Sequence, residues 1–143
     1  MKIQKSDVGV ILSFLGGADE LKLKDARIRD KAIRDLTEYK KVYEVEKTKV
    51  YEKFCTKDDD GKPKVERNPM GGVKYNFPTE IIEDLNSEMK ILNEETFTYK
   101  PNADVVRFIE ISNYKPKVGE VEIIDDVLER MKKQVKNLKK KKK

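Results

Sequence analysis

The chain has 143 residues, of which 41% are charged and 37% hydrophobic, well above the ~25% charge usual in globular domains; long solvated helices with one apolar stripe fit that balance better than a sandwich. Its net charge of +5 is concentrated at one end: residues 130–143 hold nine bases and no acid, leaving 23 bases against 27 acids in residues 1–129. No histidine means no imidazole base and no histidine-ligated metal, a single cysteine means no internal disulfide, and no apolar run approaches the ~20 residues that span a bilayer.

The opening "MKIQKSDVGVILSFLGG" pairs lysines with an apolar run, as a secretory signal does, but Gln4, Ser6 and Asp7 interrupt it. A short amphipathic helix within residues 1–17 is predicted instead, capped by Ser6, with Val8, Ile11, Leu12 and Leu15 on one side. Gly16-Gly17 ends it. Residues 20–55 then contain no glycine or proline, so one long helix is expected, ~45 Å over the stretch from Asp25 to Phe54. Ile33, Leu36, Tyr43, Val50 and Phe54 recur at seam spacing, while Lys40 and Lys47 interrupt the seam and argue against a self-sufficient coiled coil. Asp30 stands four residues before Arg34, the favourable order for a helical ion pair.

The long helix stops at "TKDDDGKPK". With Gly61 at the sixth position of a calcium loop, Asp58 and Asp60 fall at the third and fifth. The twelfth, where a bidentate glutamate belongs, is Arg67, so the stretch reads as a turn and no metal is expected. Segments 64–67 and 73–77 are short β-formers joined by Asn68-Pro-Met-Gly-Gly72, which predicts a hairpin. Thr79 is placed to cap a second amphipathic helix whose apolar face is Ile82, Leu85, Met89 and Leu92.

Residues 96–100 alternate and predict a strand. "DVVRFIEI" over 104–111 reads as another strand, but its acid and arginine do not alternate cleanly against the apolar residues, which leaves a helix open as the alternative. A basic C-terminal helix over 123–138 follows, with Ile124, Val127 or Leu128, Met131, Val135 and Leu138 on one face, and residues 139–143 form a lysine tail. The expected architecture is therefore α+β: one domain over 1–138, with a long N-terminal helix, a small antiparallel sheet or hairpin, a second amphipathic helix and a basic C-terminal helix.

Chemistry-bearing patterns are sparse. Cys55 has no histidine partner, paired acids arise freely in a chain with 27 of them, and the glycine pairs lack phosphate-loop spacing. A non-enzymatic protein without cofactor is the expectation. Tyr39, Val42, Tyr43, Val50 and Tyr51 put apolar surface on a charged helix and are the candidate partner-binding residues. Lys132, Lys133, Lys136, Lys139, Lys140, Lys141, Lys142 and Lys143 are candidates for contacting nucleic-acid phosphates, with no aromatic among them to stack on bases. Charge alone specifies nothing, and a solvated terminus is the favoured reading of the same lysines.

The order of a long charged helix, the "KDDDGKP" turn, the "VKYNF" strand, the "TEIIEDLNSEMKILNEE" helix and "TFTYKPNADVV" resembles a group of small uncharacterised proteins encoded by tailed bacteriophages. The Leu92-Asn93-Glu94-Glu95 end of that helix is part of the likeness, which covers residues 20–125; the extra Gly71-Gly72 and the lysine tail depart from it. The resemblance implies a phage protein in the host cytoplasm or the virion. It would act through protein–protein contacts, with copies of itself or with phage or host proteins, as a virion component or assembly factor. It carries over no catalytic residue. The alternatives are an effector that binds and inhibits a host defence protein, and a nucleic-acid-associated accessory protein using the tail.

Overall fold

In a computed structural model the described residues are 1–18, 21–112 and 115–141. The elements run β1 (Lys2–Gln4), α1 (Val8–Gly16), α2 (Leu23–Phe54), β2 (Val65–Arg67), β3 (Val73–Tyr75), α3 (Ile82–Glu94), β4 (Thr96–Thr98), α4 (Ala103–Ile111) and α5 (Glu120–Lys141). The fold is α+β, as the sequence implies. Two antiparallel two-stranded sheets, β1–β4 and β2–β3, complete it. The chain divides into two compact units, Met1–Lys41 with Thr96–Lys143, and Val42–Glu95.

The first unit holds the main core. Sixteen buried residues form one cluster, from Ile3, Val8, Ile11, Phe14 and Leu15 through Ala32 and Leu36 to Phe108, Val127 and Met131. Ile3, Leu15 and Met131 have no exposed surface at all. Helix α1 contributes Val8, Ile11, Phe14 and Leu15, close to the apolar face expected of it. The start differs: a 3-10 turn over Lys5–Asp7 precedes the helix, so Ser6 lies in that turn and Asp7 takes the cap position. Ahead of the turn, Lys2–Gln4 pairs with Thr96–Thr98, Ile3 opposite Phe97. A strand of three residues offers no periodicity to read, and the helix signal of the following residues masks it.

Of the two readings open for 104–111, strand and helix, the chain adopts the helix. Asn102 caps it, its Oδ1 accepting from the Val105 N–H at 2.9 Å. Val105, Val106, Phe108 and Ile109 are buried while Arg107 and Glu110 are exposed, a spacing of one, three and four that only a helix can sort. The β-propensity of valine and isoleucine yields here to packing against α5. On α5 itself, Ile124, Val127 and Met131 are buried, Leu128 and Val135 are half-buried, and Leu138 is 47% exposed. The helix starts three residues before the expected 123: Gly119 turns at φ 89°, and the Glu120 carboxylate accepts from the Lys117 N–H at 2.8 Å.

The second unit is thinly cored, with Cys55, Leu85 and Leu92 its buried apolar residues. The hairpin stands where the sequence puts it, Val65 opposite Tyr75 and Arg67 opposite Val73. Its turn is organised by Asn68, whose Oδ1 accepts from the Met70 and Gly72 N–H groups at 3.0 and 2.8 Å, with Gly71 at φ 83°. Thr79 does not cap α3. It opens a 3-10 turn, Thr79–Ile81, without a side-chain cap bond, and the α-helix starts at Ile82. On α2, Asp30 pairs with its neighbour Arg29 at 2.9 Å, and the expected Arg34 pair is not formed.

Phe108→Ala is expected to cost ~3–5 kcal/mol by leaving a cavity at the centre of the cluster. Ile91→Ser, at a residue 63% exposed, is expected to stay within ~0.5 kcal/mol. Urea denaturation measures both, and equal losses would contradict this distribution of the core.

Candidate functional site

The acidic loop after α2 is a turn. Asp58 Oδ1 accepts from the N–H groups of Asp60 and Lys62 at 3.0 and 2.9 Å, which fixes the loop as an Asx-type turn. Gly61 sits at φ 77° and donates to Asp58 O, while Lys57 and Pro63 face each other across the loop. Among the described residues, no three histidine, cysteine or carboxylate side chains converge as a metal site would require. Cys55 is buried, its thiol directed at the Glu52 carbonyl 3.4 Å away.

The tyrosines of α2 are used in packing, each against different neighbours. Tyr39 stacks on Phe97 with ring centroids 4.1 Å apart, and its hydroxyl donates to Thr98 O at 2.9 Å. Tyr43 donates to Asn93 Oδ1 at 2.6 Å. Burial pushes the Tyr43 phenol above its usual pKa. Tyr51 packs edge-on to Phe77 at 5.6 Å and tilted against Tyr75 at 5.7 Å. Val50 is half-buried. Val42 alone of the five is exposed, at 54%, joined one turn on by Val45 at 55%.

The lysines of α5 separate by helical phase. Lys132 faces α4 and bonds Glu110 at 2.8 Å, an interaction that raises its pKa. Lys133, Lys136, Lys139 and Lys140 lie toward solvent, and among the described residues no carboxylate pairs with them. Lys141 closes α5, and Lys142 and Lys143 lie outside the described residues.

Lys133 also borders a cleft of the first unit. Met1, Lys2, Arg130, Lys133, Gln134, Asn137 and Leu138 line a cavity of about 570 Å³. Residues 130, 133, 134, 137 and 138 are one stripe of α5, and the β1 strand supplies the facing wall. Arg130 holds the two together: its Nη1 donates to Lys2 O at 2.6 Å, and its Nη2 meets Asp126 at 2.7 Å. Its Nε is buried with no hydrogen-bond partner. The Met1 amine donates to Tyr99 O at 2.8 Å and to Gln134 Oε1. Burial lowers the pKa of that amine, and the positive charges of Arg130 and Lys100 lower it further. Among the described residues, no carboxylate lines the cleft. Of these residues the sequence singled out only Lys133, because the cleft joins positions 128 residues apart; the spacing of polar residues along α5 is the one trace it leaves.

A smaller cleft of about 290 Å³ contains Arg27, Lys31, Asp35, Tyr99, Lys100 and Asp104, of mixed charge. No family model, curated protein or solved structure matches the chain.

Burial, with the charge of Asp35 and Tyr39 behind it, pushes the Tyr99 phenol up to about 12. A raised pKa means that the folded state holds the proton more tightly. The associated stability is therefore complete below pH ~10 and lost as pH climbs through ~12. Thermal melts of wild type and Tyr99→Phe across pH 9–12 are expected to converge in slope below 10, with the wild type losing on the order of 1–3 kcal/mol more above it. Parallel profiles would contradict the assignment.

Proposed function

We propose that this is a non-enzymatic bacteriophage protein that works through contacts with other protein chains, as a virion component or assembly factor in the host cytoplasm or the virion. The phage attribution rests on the sequence resemblance. The mode of action rests chiefly on the contrast between the two units. In Val42–Glu95, three apolar residues are buried while Val42, Val45, Met70, Val73, Ile82 and Ile91 are exposed. Met70 is 96% exposed at a hairpin tip that Asn68 and Gly71 hold in one conformation. Scattered apolar residues are ordinary on surfaces; so many large ones over so small a core favour a surface that a partner covers.

The charge pattern agrees with contact rather than catalysis. Lys53 bonds Glu88, and Lys47 meets Glu44 at 3.0 Å, so some of the charged residues around the apolar ones are engaged with each other. Such pairs steer and register a partner more than they strengthen its binding.

Size-exclusion chromatography with light scattering, on the free protein at micromolar concentration, together with mass spectrometry of purified particles, tests this reading. Stable self-association or copurification with particles is expected, and Val45→Glu with Ile91→Glu is expected to weaken it tenfold or more, ~1.4 kcal/mol or above. A monomer absent from particles would contradict it.

A further inference from the structure

We infer that the cleft between β1 and α5 is a nucleotide-binding site, where the phosphate of a single-stranded nucleic acid is held and from which the strand runs along the lysines of α5. This site is independent of the protein-contact surface proposed above. It differs from a simple charged tail because it is concave and because its donors come from two separate elements.

The donors are complementary in kind. Lys2 and Lys133 supply ammonium groups, and Arg130 a guanidinium fixed by Lys2 O and Asp126. Asp126 and Asp7 lie beside Arg130, away from the cleft lining, and offset part of its charge. Gln134 Oε1 is already occupied as an acceptor by the Met1 amine, which leaves its amide N–H groups to offer; Asn137 adds a second amide. Lysine, arginine and amide donors together, with no carboxylate among the described lining residues, select an anion.

Size and wall chemistry narrow the anion. About 570 Å³ lies within the range of clefts that enclose organic ligands, far more than one carboxylate fills. Met1 and Leu138 give the cleft an apolar wall against which a base can lie. From Lys133 in the lining, Lys136 and Lys140 follow at i+3 and i+7, on one face of α5 and rising ~1.5 Å per residue. A continuous backbone of phosphates uses such a row; a lone mononucleotide would not reach it.

Fluorescence anisotropy of the full chain with a labelled 20-nucleotide single strand, from about 20 to 200 mM salt, tests the site. Wild type is expected to bind with log affinity falling linearly in log salt concentration. Lys2→Glu and Lys133→Glu, both at exposed positions, are each expected to weaken binding tenfold or more. Together they should lower the salt slope by about one to two, the loss of two phosphate contacts. Lys90→Glu on α3 makes the same charge change outside the site and is expected to stay within threefold. Adenosine monophosphate should displace the strand, and inorganic phosphate at equal ionic strength should do so less. A chain lacking residues 139–143 should bind more weakly yet keep that competition.

Several results would overturn the inference. These are no binding at 20 mM salt, equal losses for Lys90→Glu and Lys133→Glu, and loss of nucleotide competition on removing residues 139–143. Competition by polyglutamate as strong as that by the strand would also do so, since it would make the occupant an acidic protein chain.

Discussion

Ile3 is fully buried, and the three-residue strand that carries it pairs with Thr96–Thr98 at the far side of the sequence. The Met1 carbonyl accepts from the Tyr99 N–H at 2.9 Å, and the Arg130 guanidinium reaches the Lys2 carbonyl from α5. This closure draws residues 1–41 and 96–143 into one compact unit, although 54 residues of chain intervene. The loop-closure entropy of so long an excursion is modest, growing by only ~0.6 kcal/mol per doubling of length. Burying one isoleucine contributes ~1.5–3 kcal/mol, so the strand offsets that increment with its first apolar side chain. Helices α1, α4 and α5 pack on the cluster that Ile3 completes.

What the sequence disclosed follows from how each element is encoded. Helix α2, the hairpin, α3 and α5 announce themselves through periodicity, breakers or turn chemistry extending over many residues. The β1 strand is three residues long, and its partner is defined only by the fold. The 104–111 segment carries strand-forming residue types in a helical order, and order prevailed because Asn102 caps the helix and the core cluster receives Val105, Phe108 and Ile109. The α2 tyrosines illustrate the same limit from the other side. Their number on a charged helix was visible, but that Phe97, Asn93 and Phe77 would receive them depends on tertiary placement. The cleft on α5 was illegible for that reason also, since Lys2 and Arg130 meet only through closure.

The two units spend their apolar residues differently. The first has enough to enclose sixteen side chains and shows its charge at the surface, with the lysines of α5 graded from paired Lys132 to solvated Lys140. The second encloses three and leaves Val42, Val45 and Met70 outside, while its tyrosines and the Asn68 turn fix its local geometry. Rigid local structure over a small core is a reasonable basis for recognition, since less conformational freedom is lost when a partner covers it.

Native-state hydrogen exchange followed by NMR or mass spectrometry tests most directly whether the fold depends on the β1–β4 closure. The Tyr99 amide and those of α4 and α5 are expected to exchange together, at the free energy of global unfolding. Early exchange of the Tyr99 amide while α4 and α5 remain protected would show that the core stands without the strand, and would contradict this account.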